Sequence, residues 1–78
     1  MKFVYILGSE DGAHFYVGIT DHVDARLAKH NAGEVPHTAK FRPWRLRTYL
    51  AFSDEARAFA FEKYLKTASG RAFSTKRL

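Results

Sequence analysis

The chain has 78 residues, of which 46% are hydrophobic, 15% aromatic and 27% charged. This composition is typical of one small globular domain, residues 1–78, and excludes a disordered or fibrous protein. Because the sequence contains no cysteine, a disulfide framework and a thiolate metal site are also excluded, and a cytoplasmic protein is expected. The first apolar run, Phe3–Leu7, is too short for a signal peptide or a membrane span, so we expect no membrane partner.

The net charge of +5 is unevenly distributed along the chain. Residues 1–35 carry a net charge of −2, and residues 36–78 carry a net charge of +7. A strongly basic segment on so small a protein suits a polyanionic partner such as a nucleic acid. Ordinary solubilising surface charge accounts for the same distribution equally well, so charge alone does not identify a partner.

Three runs of residues predict β-strands. Phe3–Leu7 and Phe15–Thr20 are rich in β-branched and aromatic residues and flank the turn Asp11-Gly12, which predicts an antiparallel hairpin. Both faces of the first strand are apolar, so it is expected at the centre of the sheet, with Trp44–Phe52 as its second partner. Alternation in that third strand places Arg45 and Arg47 on one face. The same alternation places four apolar residues on the other face: Trp44, Leu46, Leu50 and Phe52.

Two helices are predicted between and after these strands. Asp21 is the expected N-cap of a helix from about His22 to Ala32, which Gly33 ends. Ser53 opens a longer helix that continues to about Ala68 and is closed by Ser69-Gly70. Residues 30–42 are expected to be mostly loop and residues 71–78 to add at most one turn. The expected fold is a small α/β (α+β) domain in which helices flank a three-stranded antiparallel sheet, in β-β-α-β-α-(α) order.

Tyr5 and Tyr16 lie on adjacent strands of the predicted hairpin and meet over one face if the register brings them to the same side. Gly18 shares the face of Tyr16 and has no side chain, which leaves room for a phosphate. Phosphodiester hydrolysis needs a base for the attacking water and positive charge over the phosphate. A phenol is a poor base at its ordinary pKa of about 10, so a metal or Arg26 would have to favour the phenolate. The alternative is that both tyrosines are half-buried sheet aromatics.

Arg26 and His30 are four residues apart on the first predicted helix and therefore share a face. An arginine there can hold a phosphate through two hydrogen bonds; the alternative is a surface ion pair, although no acidic residue lies one turn away. A lone histidine on a helix is as readily structural as catalytic. Glu62 lies near the apolar side of the second helix, where it is either a ligand for Mg²⁺ or one half of an exposed pair with Lys66.

Residues 38–47 contain cations and aromatic side chains but no acid. Such a combination binds backbone phosphates and stacks on unpaired bases. The alternative is a loop whose Trp44 fills the core. The cations of this segment are the candidate nucleic-acid-binding residues Lys40, Arg42, Arg45 and Arg47.

The order of these residues resembles the GIY-YIG nuclease family, in particular small stand-alone bacterial members that are similar to the nuclease half of excinuclease C. The resemblance covers practically the whole chain. It is carried by Phe3-Val4-Tyr5, Tyr16-Val17-Gly18, Arg26, His30-Asn31 and Glu62.

The resemblance implies an endonuclease that hydrolyses DNA in repair or recombination and depends on a divalent metal, Mg²⁺ or Mn²⁺. It implies catalytic roles for Tyr5, Tyr16, Arg26 and His30 and makes Glu62 the metal ligand. Branched, damaged or single-stranded DNA are the substrates considered, with RNA also open. Ile19 stands where some relatives carry lysine, which removes a candidate catalytic cation. This departure favours the alternative of a nucleic-acid-binding module with little or no catalysis; a domain that binds an acidic protein is a third hypothesis.

Overall fold

Three strands and three helices follow one another in the order ββαβαα. The computed structural model describes residues 1–78. Its elements are β1 (Lys2–Ser9), β2 (Phe15–Thr20), α1 (Val23–Asn31), a 3₁₀ turn at Ala39–Phe41, β3 (Trp44–Phe52), α2 (Glu55–Leu65) and α3 (Ala68–Arg77). This order confirms the expected small α+β domain. None of the helices has the length and apolar character that crossing a membrane requires.

The sheet has the strand order β2-β1-β3, and both strand pairs are antiparallel. The central position of β1, expected from its two apolar faces, is confirmed. Val4 and Ile6 pack against Ala58 and Leu65, on the side covered by α2. Tyr5 and Leu7 point the opposite way and pack with Trp44 and with Leu27 of α1. We call these two sides the α2 face and the α1 face of the sheet.

A β-bulge divides strand β3 between the two faces. The pairing of β1 with β3 shifts by one residue at Arg47. Trp44 and Leu46, before the bulge, pack on the α1 face, whereas Phe52, after it, packs on the α2 face. The extra residue inverts the alternation of side chains. The prediction that Trp44, Leu46, Leu50 and Phe52 share one face is therefore wrong.

Helix α1 begins one residue later than expected. Its N-cap is His22, whose side chain makes no capping hydrogen bond. Asp21, the predicted cap, instead forms an ion pair with Lys2 at 3.0 Å. The neighbouring Thr20 hydroxyl accepts a hydrogen bond from the His22 N–H at 3.2 Å, so the loop is fixed from the strand side.

The helix after β3 ends three residues earlier than expected, and the optional further turn is a full helix that begins at Ala68, so the predicted end at Ser69-Gly70 is wrong. Helix α2 ends at Leu65, and the Thr67 hydroxyl then caps α3 by accepting a hydrogen bond from the Gly70 N–H at 3.0 Å. Gly70 lies inside α3 instead of closing α2, and a Cβ there would overlap the Tyr64 carbonyl oxygen. The small residue at this position therefore lets α3 fold back tightly onto the end of α2.

Candidate active site

Four polar side chains form a hydrogen-bonded chain on the α1 face. The Tyr5 hydroxyl lies 2.9 Å from Nε2 of His30, and Nδ1 of His30 lies 2.7 Å from the Thr38 hydroxyl. Arg26 donates from Nε to the Tyr5 oxygen at 3.4 Å. Tyr5 comes from β1, Arg26 and His30 from consecutive turns of α1, and Thr38 from the loop before β3. The i,i+4 spacing thus brings the two helical residues to one phenol, as expected.

The contacts of the Thr38 hydroxyl fix the direction of the hydrogen bonds in this chain. The Thr38 hydroxyl donates to the Val35 carbonyl oxygen at 3.3 Å, so its oxygen accepts from His30. This assigns the ring proton of His30 to Nδ1 and leaves Nε2 as an acceptor for the Tyr5 hydroxyl. A neutral imidazole with this tautomer satisfies every partner.

The electrostatic environment keeps His30 neutral. Its side chain is 0% exposed, and this burial lowers the pKa of His30, with the nearby positive charge of Arg26 lowering it further. Both effects disfavour the imidazolium. His30 therefore enters any reaction as a neutral hydrogen-bond acceptor for Tyr5.

Tyr5 is likewise held in its neutral form. It is 1% exposed, and burial raises its pKa despite the opposing hydrogen bond from Arg26. Tyr16 and Glu62 add to this rise, because negative charge on either group repels a phenolate at Tyr5. Tyr5 is thus a buried donor to His30 and an anchor for Arg26 that has no surface of its own to offer a substrate.

Tyr16 is the more exposed of the two tyrosines. It is half-buried on β2, and its ring centroid lies 4.9 Å from that of His30 and 6.2 Å from that of Tyr5. The β1–β2 register thus brings both phenols to one face, as the sequence suggested. The hydrogen bond to Tyr5 is the largest cause of the raised pKa of Arg26, and the nearby Tyr16 phenol also contributes. Arg26 therefore carries its charge beside both phenols and forms no ion pair with an acid.

Gly18 lies directly across from Tyr5 in the hairpin. A Cβ at this position would overlap the Tyr5 hydroxyl and ring. The missing side chain therefore makes room for the Tyr5 ring, and the prediction that it leaves space for a phosphate is wrong. Gly18 serves the site indirectly, because no larger residue would allow the Tyr5–His30 hydrogen bond in this arrangement.

Glu62 is largely shielded on α2, with 16% of its side chain exposed, and forms an ion pair with Lys66 at 2.5 Å. This is the i,i+4 pair that was the alternative to a metal site. The negative charge of Glu62 nonetheless raises the pKa of Tyr5. No group of three or more His, Cys, Asp and Glu side chains could hold a metal ion. One shielded carboxylate fits Mg²⁺ or Mn²⁺, which are bound through one or two carboxylates with water and substrate phosphate, and does not fit zinc.

Residues 1–77 match the family model of the GIY-YIG catalytic domain. The chain belongs to this family. It is 43% identical over 65 residues to a UPF0213 protein of Lacticaseibacillus paracasei, covering 82% of this chain and 72% of that one. It is 34% identical over 70 residues to one of Halobacterium salinarum, covering 88% and 90% respectively.

A solved structure extends the likeness to the fold. The solution NMR structure of a UPF0213 protein of Bacillus halodurans matches with a TM-score of 0.58 and 31% identity, over 97% of this chain and 84% of that one. The small α+β architecture of the GIY-YIG domain is therefore shared with a relative of similar size.

We call the hydrogen-bonded side chains of Tyr5, Arg26, His30 and Thr38 the Tyr5 cluster. The four cations that were predicted to bind nucleic acid do not converge on it. Lys40 lies over the Phe41 ring at 6.0 Å, and Arg42 donates to the Ala39 carbonyl oxygen at 2.7 Å. Arg45 pairs with Glu10 at 3.7 Å. Arg47 lies over the Phe15 ring on the α2 face. The cations of residues 38–47 are thus divided between the loop before β3 and the α2 face of the sheet.

Two further residues, Thr38 and Asn31, support the site although neither was predicted as a site residue. Thr38 is 1% exposed, and its carbonyl oxygen also accepts a hydrogen bond from the Trp44 indole at 2.8 Å. The Asn31 side chain accepts from the Trp44 N–H at 2.6 Å and donates to its carbonyl oxygen at 3.0 Å. These bonds tie the end of α1 to the start of β3 and hold His30 in place. Trp44 itself is buried in the core, which was the alternative to its stacking on a base.

Proposed function

We propose that this protein is a metal-dependent endonuclease that hydrolyses phosphodiester bonds in DNA. The observation that carries the proposal is Arg26, an unpaired guanidinium held by a buried neutral phenol beside a half-buried one. A fixed cation next to a hydroxyl at the protein surface is the arrangement that phosphodiester hydrolysis requires. Membership of the GIY-YIG catalytic domain family supports this assignment.

The four candidate catalytic residues divide into two pairs. Arg26 stabilises the charge that develops on the phosphate, and the phenolic oxygen of Tyr16 acts as the general base that accepts the proton of the attacking water. Tyr5 and His30 are 1% and 0% exposed, so they act as positioning residues for the other pair. Tyr5 holds the guanidinium of Arg26, and His30 fixes the Tyr5 hydroxyl in the donor role. In this proposal Tyr16 is the phenol that meets the substrate.

Glu62 is the residue that would hold the divalent ion. An ion bound there would supply Lewis-acid stabilisation of the phosphate charge. Lys66 is paired with Oε2 of Glu62, so its ammonium competes with the metal for this carboxylate. Opening this pair also frees an ammonium group.

Cleavage of plasmid, branched, damaged and single-stranded DNA tests the proposal. The purified chain is incubated with each substrate in Mg²⁺, in Mn²⁺ and in chelator, with the Arg26→Ala variant as the control for contaminating nucleases. We expect cleavage that requires metal and is lost in the variant. Cleavage by the variant at the parental rate, or none by the parent with any substrate, contradicts the proposal. Cleavage of RNA of matched sequence shows whether the substrate class includes RNA. The DNA structure that is cut fastest decides between a role in repair, such as that of excinuclease C, and a role in recombination.

A second candidate is a nucleic-acid-binding module with little catalysis. The Glu62–Lys66 ion pair favours it, because this pair occupies the sole candidate metal ligand. Ile19 in place of a lysine points the same way. DNA binding without cleavage in any metal ion identifies this second function.

A further inference from the structure

A cleft of about 810 Å³ opens on the α2 face, on the other side of the sheet from the Tyr5 cluster. It lies between the β1–β2 hairpin, the bulge of β3 and helix α3. Its volume is within the range of about 300–1,000 Å³ that is typical of ligand pockets. Three cationic side chains, Arg47, Lys66 and Arg71, line it, and no Asp or Glu side chain does. The cleft therefore favours an anionic ligand.

Two of these cations are free of ion pairs. Lys66 is held by Glu62 at 2.5 Å, whereas Arg47 and Arg71 form no ion pair with an acid. Both arginines are exposed at the surface. An arginine presents a planar fork of donors that matches a phosphate group. The two arginines thus offer unsatisfied phosphate-binding groups in one concave surface.

An arginine stacked on an aromatic ring forms one wall of the cleft. The Arg47 guanidinium lies 5.2 Å from the centroid of the Phe15 ring. Gly8, beneath them, leaves the space that the Arg47 side chain needs, because a Cβ at Gly8 would come within 2.9 Å of the Arg47 Cδ. The bulge that puts Arg47 out of register therefore delivers its side chain to Phe15. The contact between Arg47 and Phe15 therefore depends on the pairing of distant strands.

The Phe15 ring indicates which polyanion the cleft takes. The residue is 59% exposed, so much of its ring is open to a ligand. Stacking on an aromatic ring combined with arginine contacts to phosphates is the way in which proteins bind unpaired bases. The bases of a duplex are already stacked on one another and cannot use such a ring, and an acidic peptide has no base to place on it. Both observations favour a single strand.

We propose that this cleft binds a single-stranded segment of nucleic acid, with Arg47 and Arg71 on its phosphates and a base stacked on Phe15. The choice of nucleic acid rests on the proposed function. Tyr16 borders the cleft and also lies 4.9 Å from His30 on the other face. A strand that passes over the edge strand β2 therefore reaches both sites. The cleft holds a part of the substrate away from the phosphate that reacts.

Binding in chelator separates this site from catalysis. The affinities of a short oligothymidylate and of a hairpin duplex are measured by fluorescence anisotropy at several salt concentrations. Arg47→Glu and Arg71→Glu should each weaken single-strand binding about tenfold and lower the salt slope by roughly 0.7 for each phosphate that the variant no longer binds. Phe15→Leu should weaken it roughly 5- to 150-fold and leave duplex affinity unchanged. Arg57→Glu is the matched control, because Arg57 is exposed on α2 outside the cleft.

A chemical-shift map of the parent protein removes any dependence on whether the variants fold. The oligothymidylate should shift the amide signals of Phe15, Arg47 and Arg71 at lower concentration than those of Arg26. Shifts confined to the α1 face, or equal losses of affinity in Arg57→Glu and Arg47→Glu, overturn the proposal. The proposal is also overturned if the protein binds polyglutamate as tightly as oligothymidylate and Phe15→Leu changes neither affinity.

The cleft and the proposed nuclease activity fail separately. If the parent cuts DNA while Arg47→Glu and Phe15→Leu bind single strands as the parent does, the cleft proposal is wrong and the nuclease proposal stands. If no metal ion supports cleavage but these variants lose single-strand binding, the cleft proposal stands and the nuclease proposal is wrong.

Discussion

The two faces of the sheet hold their polar groups in opposite ways. On the α1 face, Tyr5, His30 and Thr38 are almost fully buried, and each satisfies another. On the α2 face, Arg47 and Arg71 line an open cleft and have no acidic partner. A buried, fully satisfied network fixes geometry, whereas unpaired exposed cations bind anions. In our two proposals the α1 face therefore positions Arg26 and Tyr16 for the reaction, and the α2 face holds the substrate.

The largest effect is expected at Glu62, which lies on α2 but is felt electrostatically at Tyr5. Glu62→Gln should abolish metal-dependent cleavage while leaving the fold and DNA affinity nearly intact, because it removes the metal ligand and no phosphate contact. The measurement is single-turnover cleavage across a Mg²⁺ and Mn²⁺ titration. The parental rate at any metal concentration would show that Glu62 is not the ligand.

Lys66→Met is the matched partner of that variant. It frees the Glu62 carboxylate from its ion pair, so the metal concentration that gives half of the maximal rate should fall. An unchanged or higher concentration would mean that Lys66 does not compete with the metal.

The two tyrosines should differ, and this difference tests the division of roles on the α1 face. Tyr16→Phe should slow single-turnover cleavage by about 10²–10⁴-fold, the usual size of an acid–base contribution. Tyr5→Phe should slow it less but lower the free energy of unfolding by about 1–3 kcal/mol, because Nε2 of His30 is left buried without a donor. Urea denaturation beside the kinetics separates the two effects. If Tyr5→Phe loses more of the rate than Tyr16→Phe at equal stability, the roles are reversed.

Arg26 should affect the rate more than the affinity. Arg26→Ala is expected to lower the cleavage rate at saturating DNA by about 10²–10³-fold, as for other groups that stabilise transition-state charge. Affinity should fall only modestly, because many cations outside the α1 face share the non-specific binding. Arg26→Lys should recover little of the rate, since an ammonium loses the planar fork.

Arg45→Ala provides the contrast with Arg26→Ala. Arg45 is exposed and pairs only with Glu10, so its loss should weaken binding and flatten the salt slope while keeping the rate at saturation. If Arg26→Ala lowers only the DNA affinity and Arg45→Ala lowers the cleavage rate, the catalytic cation lies on β3 and our assignment of it to α1 is wrong.

Local patterns in the sequence were sufficient to predict the sheet. The apolar runs and the Asp11-Gly12 turn gave the hairpin, and the two apolar faces of β1 gave its central place. They were not sufficient at the bulge, because one extra residue at Arg47 depends on the pairing of two distant strands. The break between α2 and α3 was placed a few residues too late for a related reason. Thr67 acts as an N-cap only because Gly70 allows the helices to pack closely.

The site was predictable in its membership more than in its geometry. The spacing of Arg26 and His30 predicted that they share one helix face, and the structure brings both to the Tyr5 hydroxyl. Burial was the part that no local pattern contained, because it depends on how α1 and the loop carrying Thr38 cover the sheet. Burial decides that Tyr5 is a neutral anchor and that Gly18 accommodates a ring. The bulge in β3, and not burial, places Arg47 on the other face from Tyr5.

The smallest expected effect is a pH dependence of stability that arises from the α1 face. Burial and Arg26 lower the pKa of His30 in the folded protein, so below the ordinary value of about 6.5 the unfolded chain binds a proton that the folded protein does not. Stability should therefore be fully present above about pH 6.5. It should decline as the pH falls toward the folded pKa, with a slope of at most about 1.4 kcal/mol per pH unit for one proton.

Urea denaturation between pH 5 and 8 measures this slope, and NMR titration of the histidine ring signals assigns it. The groups that face His30 are Arg26 on its own helix, Tyr5 and Tyr16 from the sheet, and Thr38 from the loop. Arg26→Gln should raise the midpoint of His30, because it removes the second cause of the shift. A His30 midpoint at or above the ordinary value of about 6.5 would contradict the buried, neutral imidazole on which the division between the two faces depends.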